Sequence, residues 1–149
     1  MSEDAKNNLK LICKNQEDLK VISAYSQDSI VAVKDITFLK KNKIFLMLAN
    51  RFMWEDAEKG LFRENKRIRC ALRFDQVSNV ICKNINQKKK NKVLELLAIK
   101  NFTIKDQSFK ISLIFAGDSI ITILAEEIEV LLDDLGEPWV VKKAPKHKI

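Results

Sequence analysis

The sequence predicts an α+β fold that is mainly antiparallel β. The expected form is a pleckstrin-homology-like barrel of about seven strands, with a C-terminal amphipathic helix and an N-terminal β-α extension. Three observations carry that expectation. From Ile30 to Leu124, short β-branched and aromatic runs are separated by short polar turns. After them Leu124, Ile128, Leu131, Leu132 and Leu135 recur at helical spacing. The 149 residues are 46% apolar with three glycines and two prolines, which suits one domain with its own core and few linkers.

Leu9 to Cys13 reads as a first strand. Asn15 stands at a helix N-cap, and Glu17 and Asp18 place negative charge at the positive end of the dipole. Leu19, Ile22 and Ala24 give that helix a thin apolar stripe ending at Asp28-Ser29. Ile36–Leu39 and Ile44–Leu48 flank Lys40-Lys41-Asn42-Lys43 as a hairpin. Arg51 to Asn65 is charged and irregular, an excursion from the sheet. Ile68, Cys70, Leu72 and Phe74 alternate with Arg67, Arg69, Ala71 and Arg73, so the first set faces a core and the second faces solvent. Val77–Cys82, Val93–Ile104, Phe109–Phe115 and Ile120–Leu124 complete the strands, the last two joined through Gly117-Asp118. Glu126, Glu127 and Glu129 suit the first turns of the closing helix, Gly136 its C-terminal cap and Pro138 its stop. Asp133 and Asp134 do not fit, because they fall at the negative end of that helix dipole. The expected organisation is a disordered tail over 1–8, one domain over 9–139 and a basic tail over 140–149.

The formal net charge is +7, yet Lys88, Lys89, Lys90 and Lys92 carry four of those charges and Lys142, Lys143, Lys146 and Lys148 another four. The body of the domain is close to neutral. Phosphate binders need basic residues clustered on a folded face, so this distribution argues against nucleic acid. Cys13, Cys70 and Cys82 are odd in number and widely spaced, the pattern of buried free thiols in a reducing compartment. With a polar start to the chain and no apolar run long enough to span a bilayer, the expected location is the cytoplasm.

Chemistry is sparsely encoded. The lone histidine, His147, stands in the lysine-rich tail, and Gly60, Gly117 and Gly136 are too far apart in sequence to build a phosphate cradle. No cofactor or metal is implied. Two constellations remain. In Asn50-Arg51-Phe52-Met53-Trp54-Glu55, Arg51 offers a fork for a carboxylate or phosphate and Trp54 a flat apolar surface. The structural reading of the same residues makes Trp54 a plug and pairs Arg51 with Glu55 or Asp75. The second is the outward row Arg67, Arg69 and Arg73, since all five arginines lie between 51 and 73.

Several stretches together resemble a known family. They are Asp18-Leu19-Lys20-Val21-Ile22-Ser23-Ala24, Gln27-Asp28, Asn50-Arg51-Phe52-Met53-Trp54-Glu55, Leu72-Arg73-Phe74-Asp75-Gln76-Val77, Leu96-Leu97-Ala98-Ile99, Phe115-Ala116-Gly117 and Leu135-Gly136-Glu137-Pro138-Trp139. The likeness is to short alphaproteobacterial proteins classed as a domain of unknown function, with the NRFxWE stretch as the most specific part. It implies a stand-alone cytoplasmic bacterial protein and carries over no activity or ligand.

The resulting expectation is a non-catalytic binding or scaffold module. It would contact a protein or a small anionic ligand through Arg51, Trp54, Glu55, Arg69, Arg73 and Asp75, and it could form a homo-oligomer. One alternative is a cofactor-independent enzyme using Glu55 or Asp75 with Arg51 as an oxyanion clamp. The other is weak nucleic-acid binding through the lysine loop and tail.

Overall fold

Alternation decides most of the architecture. A computed structural model describes residues 8–57, 64–104 and 108–145, and nearly every period-two run in them is a strand. Strand β1 (Lys10–Cys13) leads into helix α1 (Gln16–Ser26), followed by β2 (Ile30–Ala32), β3 (Ile36–Leu39) and β4 (Ile44–Phe52). A single helical turn, α2 (Trp54–Ala57), precedes β5 (Lys66–Phe74), β6 (Val77–Lys83), β7 (Val93–Ile104), β8 (Ser108–Phe115), β9 (Ser119–Ala125) and β10 (Val130–Val140). On β5, Ile68, Cys70, Leu72 and Phe74 are buried while the arginines lie on the opposite face, as period two requires.

All pairings are antiparallel, and the order is β1-β10-β5-β4-β2-β7-β8-β9-β6, with β3 also paired to β4. The inner faces of both halves of this path share one core. Phe45, Met47, Cys70 and Leu72 come from one side, and Ile111, Leu113, Ile121 and Ile123 from the other. Helix α1 packs against β7, β1 and β4. The Asn15 side chain caps it by accepting the Asp18 N–H at 2.8 Å. Its buried stripe is Leu19, Ile22 and Ser26; Ala24 faces solvent, and the Ser26 hydroxyl donates to the Ile22 carbonyl.

Two expectations are overturned. The closing amphipathic helix is a strand: β10 spans Val130–Val140 and pairs with β1 on one side and β5 on the other. Val130, Leu132 and Asp134 are buried, while Leu131 and Asp133 lie on the other face. The leucine spacing is compatible with both periods, and hydrogen bonding to two waiting strands decides between them. A helix here would have left the β1 and β5 edges open. Gly136 caps no helix. It sits at φ +74° where the β10–β5 register shifts between Leu135 and Trp139, a bulge position that favours glycine.

The second correction concerns the barrel, because the sheet does not close. Its path ends at β1 and β6, which do not pair with each other, and β3 meets only β4. Short β2 and β3 share one edge of β4, and β6 is held by β9 alone, so no strand remains to bridge β6 to β3. Nine strands follow α1 among the described residues, against about seven expected; β2 and β10 were the ones not recognised. Val140 lies within β10, and the Val141 N–H bonds the Asn65 carbonyl at 2.8 Å. Gly60, His147 and residues 1–7 of the expected tail lie outside the described residues.

Candidate functional site

Arg51 is the largest fully buried side chain, at 0% exposure. Alternation along β4 turns it to the inner face opposite Ile68, two positions along from the Cys70–Ala49 pair. From there it reaches across β5 to Asp134 on β10. Arg51 Nε donates to Asp134 Oδ1 and Nη2 to Oδ2, both at 2.7 Å. On the other side Nη1 and Nη2 donate to Glu55 Oε1 and Oε2 at 2.9 and 2.7 Å, and Nη1 also approaches the Phe52 carbonyl at 3.5 Å. All five guanidinium N–H groups therefore have an acceptor. Asp134 Oδ2 also accepts the Leu9 N–H at 2.8 Å, and the Tyr25 ring lies 5.9 Å from the guanidinium carbon.

The arrangement is a lock between β1, β4, α2 and β10. Burial by itself would lower the Arg51 pKa; the bonds to Asp134 and then Glu55 more than offset this and raise it, so the guanidinium stays charged. Cys70, beside this group, has its thiol pushed up to about 12, chiefly by burial. Glu55 is in place because α2 starts directly after β4 and brings it to i+4 of Arg51. Trp54 packs edge-on against Phe52 at 4.6 Å, and its indole N–H donates to the Gln27 carbonyl at 2.8 Å.

The remaining expected residues do not join this group. Arg69 donates to Asn50 Oδ1 and Asp35 Oδ2, each at 3.1 Å. Arg73 pairs with Asp75 at 3.0 Å on the partly exposed face. Arg67 donates to the carbonyls of Asp28 and Asn50, and burial lowers its pKa. Asp75 follows the last residue of β5, whereas Arg51 registers with Ile68. At about 3.3 Å per residue that separates them by roughly 20 Å. Glu55 and Asp75 thus share no site, and Arg51 has no N–H to spare for a substrate oxygen. Sequence reasoning missed Asp134 altogether, although its misfit in the expected helix was a legible signal.

A different place has room for a ligand. Where the sheet stays open between β3 and β6, a cleft of about 210 Å³ reaches the core. Ile36 and Phe38 line one wall, Val80 and Cys82 the other, and Phe45 and Ile121 are part of the lining. Burial raises the Cys82 thiol pKa. Lys90 and Gln87 stand at the edge of the cleft, on the lysine loop. That loop is tied down, because Lys34 N–H bonds the Lys90 carbonyl at 3.0 Å and Val33 N–H the Lys92 carbonyl at 2.9 Å. Its turn is stabilised by Asn86, whose side chain accepts the Lys88 N–H at 3.0 Å. Among the described residues no three His, Cys, Asp or Glu side chains group as metal ligands would, and no helix is long and apolar enough to cross a membrane.

Fold and site together define an α+β protein with an open, mainly antiparallel sheet, a buried arginine–carboxylate lock and an apolar cleft with a basic edge. The chain belongs to the family described as a protein of unknown function, DUF2948, whose model matches residues 9–147. No curated protein and no solved structure matches it.

Proposed function

We propose that the protein is a non-catalytic binding module whose ligand is a small apolar anion held in the cleft between β3 and β6. One observation carries the reading: the cleft is walled by the half-buried apolar side chains Ile36, Phe38, Val80, Cys82 and Ile85, packed on the core, and has a lysine at its edge. Apolar walls with a few placed polar groups are the usual make-up of small-molecule sites. The lining contains no acidic residue, so an anionic head group meets only Lys90 and Gln87. The saturated Arg51 and the distance between Glu55 and Asp75 weigh against the acid–base alternative. Titrating isotope-labelled protein with octanoate, with octanol as the uncharged control, tests the reading. Octanoate should shift amide signals of Ile36, Val80 and Lys90, and Lys90→Ala should weaken it about tenfold towards the octanol value. No shifts at millimolar octanoate, or shifts elsewhere, would remove the proposal.

A second reading keeps the outer face of β5 as a protein contact. There Ile12, Leu131, Arg73 and Leu46 form one cross-strand row, with Ile12 63% exposed. Arg69, Arg73 and Asp75 would supply the polar rim of such a contact. Size-exclusion chromatography with light scattering, comparing the wild type with Leu131→Lys, checks whether this face self-associates.

A further inference from the structure

We infer that the outer edge of β7, beside the first turns of α1, is a docking site for an extended acidic peptide segment of a partner protein, bound by strand addition. The site is separate from the cleft and does not depend on it. Strand β7 pairs with β8 along most of its length, but among the described residues its other edge is covered only by β2 at Val93, Leu94 and Glu95, by the Asp28 and Ser29 backbone at Leu96, and by helix α1 beyond. The Ile99 N–H points to that other edge, where it bonds the Ser23 hydroxyl at 2.9 Å. Antiparallel pairing alternates, so the N–H and carbonyl of Asn101 point the same way, one step beyond the helix contact.

A groove of about 240 Å³ lies there. Ile99 and Asn101 project to one face of β7 and Lys100 and Phe102 to the other, yet all four line it, so it follows the strand edge rather than either face. Leu19 and Lys20 of α1 form its opposite wall.

A second feature points to a ligand. Both polar atoms of the Asn101 side chain are buried and have no hydrogen-bond partner among the described residues. Native proteins leave few such groups, and an amide with one acceptor and one donor nitrogen matches the alternating donors and acceptors of an extended main chain. Phe102, 52% exposed, offers an apolar surface for one peptide side chain. The groove is lined by Lys100 and by Lys20, which also pairs with Glu17 at 3.8 Å, and by no acidic residue, which favours an acidic segment. Main-chain pairing with side-chain pockets beside it is how exposed strand edges take up peptides.

The probe is a phage-displayed library of random twelve-residue peptides, panned on the intact protein and counter-selected on Phe102→Glu. The expected result is enrichment of sequences that alternate apolar and acidic residues. A synthetic peptide from that pool should slow hydrogen exchange at the Asn101 amide. It should bind Asn101→Ala and Phe102→Glu at least tenfold more weakly and lose affinity as salt is raised. Asn101→Pro removes the outward N–H together with the side-chain amide, so it should abolish binding; Phe102→Glu, at an exposed position, gives the same answer should the proline disturb β7. Enrichment of nothing above background, equal binding to both Asn101→Ala and Phe102→Glu, or protection mapped to another strand would overturn the proposal. Protection of the same amide in the free protein at high concentration, accompanied by dimerisation, would also overturn it, by giving the edge to a second copy of this chain.

Discussion

Replacing Arg51 with methionine tests the lock at its centre. The substitution keeps an unbranched apolar stem and removes all five donors, leaving Asp134, whose side chain is 0% exposed, facing Glu55 at 18% with no cation between them. Removing one partner of a buried ion pair costs about 3–5 kcal/mol, because the remaining charge is left desolvated. Glu55 can turn towards water and Asp134 cannot, so most of the loss belongs to the Arg51–Asp134 half. In a domain of this size that loss lowers the melting temperature by roughly 10–15 °C. Urea unfolding followed by tryptophan fluorescence and far-ultraviolet circular dichroism measures it. Asp134→Ala should cost more than Glu55→Ala. Arg51→Lys should recover only part of the loss, since an ammonium cannot engage two carboxylates side-on at once. The triple variant Arg51→Met, Asp134→Leu, Glu55→Gln should return to within about 2 kcal/mol of the wild type, because an uncharged set needs no charge partner and the remaining cost is the Leu9 N–H left without its acceptor. A loss below about 1 kcal/mol for Arg51→Met would refute the lock and restore Arg51 as a free fork for an anion.

Three other outcomes follow from single sites. The Cys70 thiol, at about 12 in the folded protein against an ordinary 9.0, stays protonated where the unfolded chain loses its proton, so its contribution is complete below pH 9 and disappears as pH rises towards 12. Between pH 9 and 11 unfolding free energy should therefore fall more steeply in the wild type than in Cys70→Ala, by about 1.4 kcal/mol per pH unit, and equal slopes would contradict the burial of this thiol. Asn15→Ala removes the 2.8 Å cap on the Asp18 N–H and should cost about 1 kcal/mol in urea unfolding, with Asn15→Asp near wild type. Gly136→Ala meets no atom within 4 Å, so its expected cost of about 1 kcal/mol is that of the +74° φ alone, and Gly136→Asn should be milder. A loss several times larger would mean that the bulge packs against something.

Local pattern determined a good deal of this protein. The alternation over 67–74 fixed which face of β5 enters the core, and the Asn15 cap with its acidic first turn fixed where α1 begins. The polar stretch Lys40–Lys43 and the pair Gly117-Asp118 marked turns whose residues include left-handed backbone at Lys43, Gly117 and Asp118. Each of these is a short-range preference that needs no knowledge of the rest of the chain. Tertiary structure decided three things that no such preference contains. It made Val130–Val140 a strand, because β1 and β5 each offered an edge to the same segment and a helix could satisfy neither. It turned Arg51 from a candidate ligand fork into a strut, because its main acceptor, Asp134, lies 83 residues away and reaches it only once β4, β5 and β10 stand side by side. It also left the sheet open between β3 and β6, creating an apolar cleft whose lining, from Val33 to Ile121, comes from several separate segments. Periodicity reports which way a side chain points; what it meets there depends on strand order, and strand order is a long-range property.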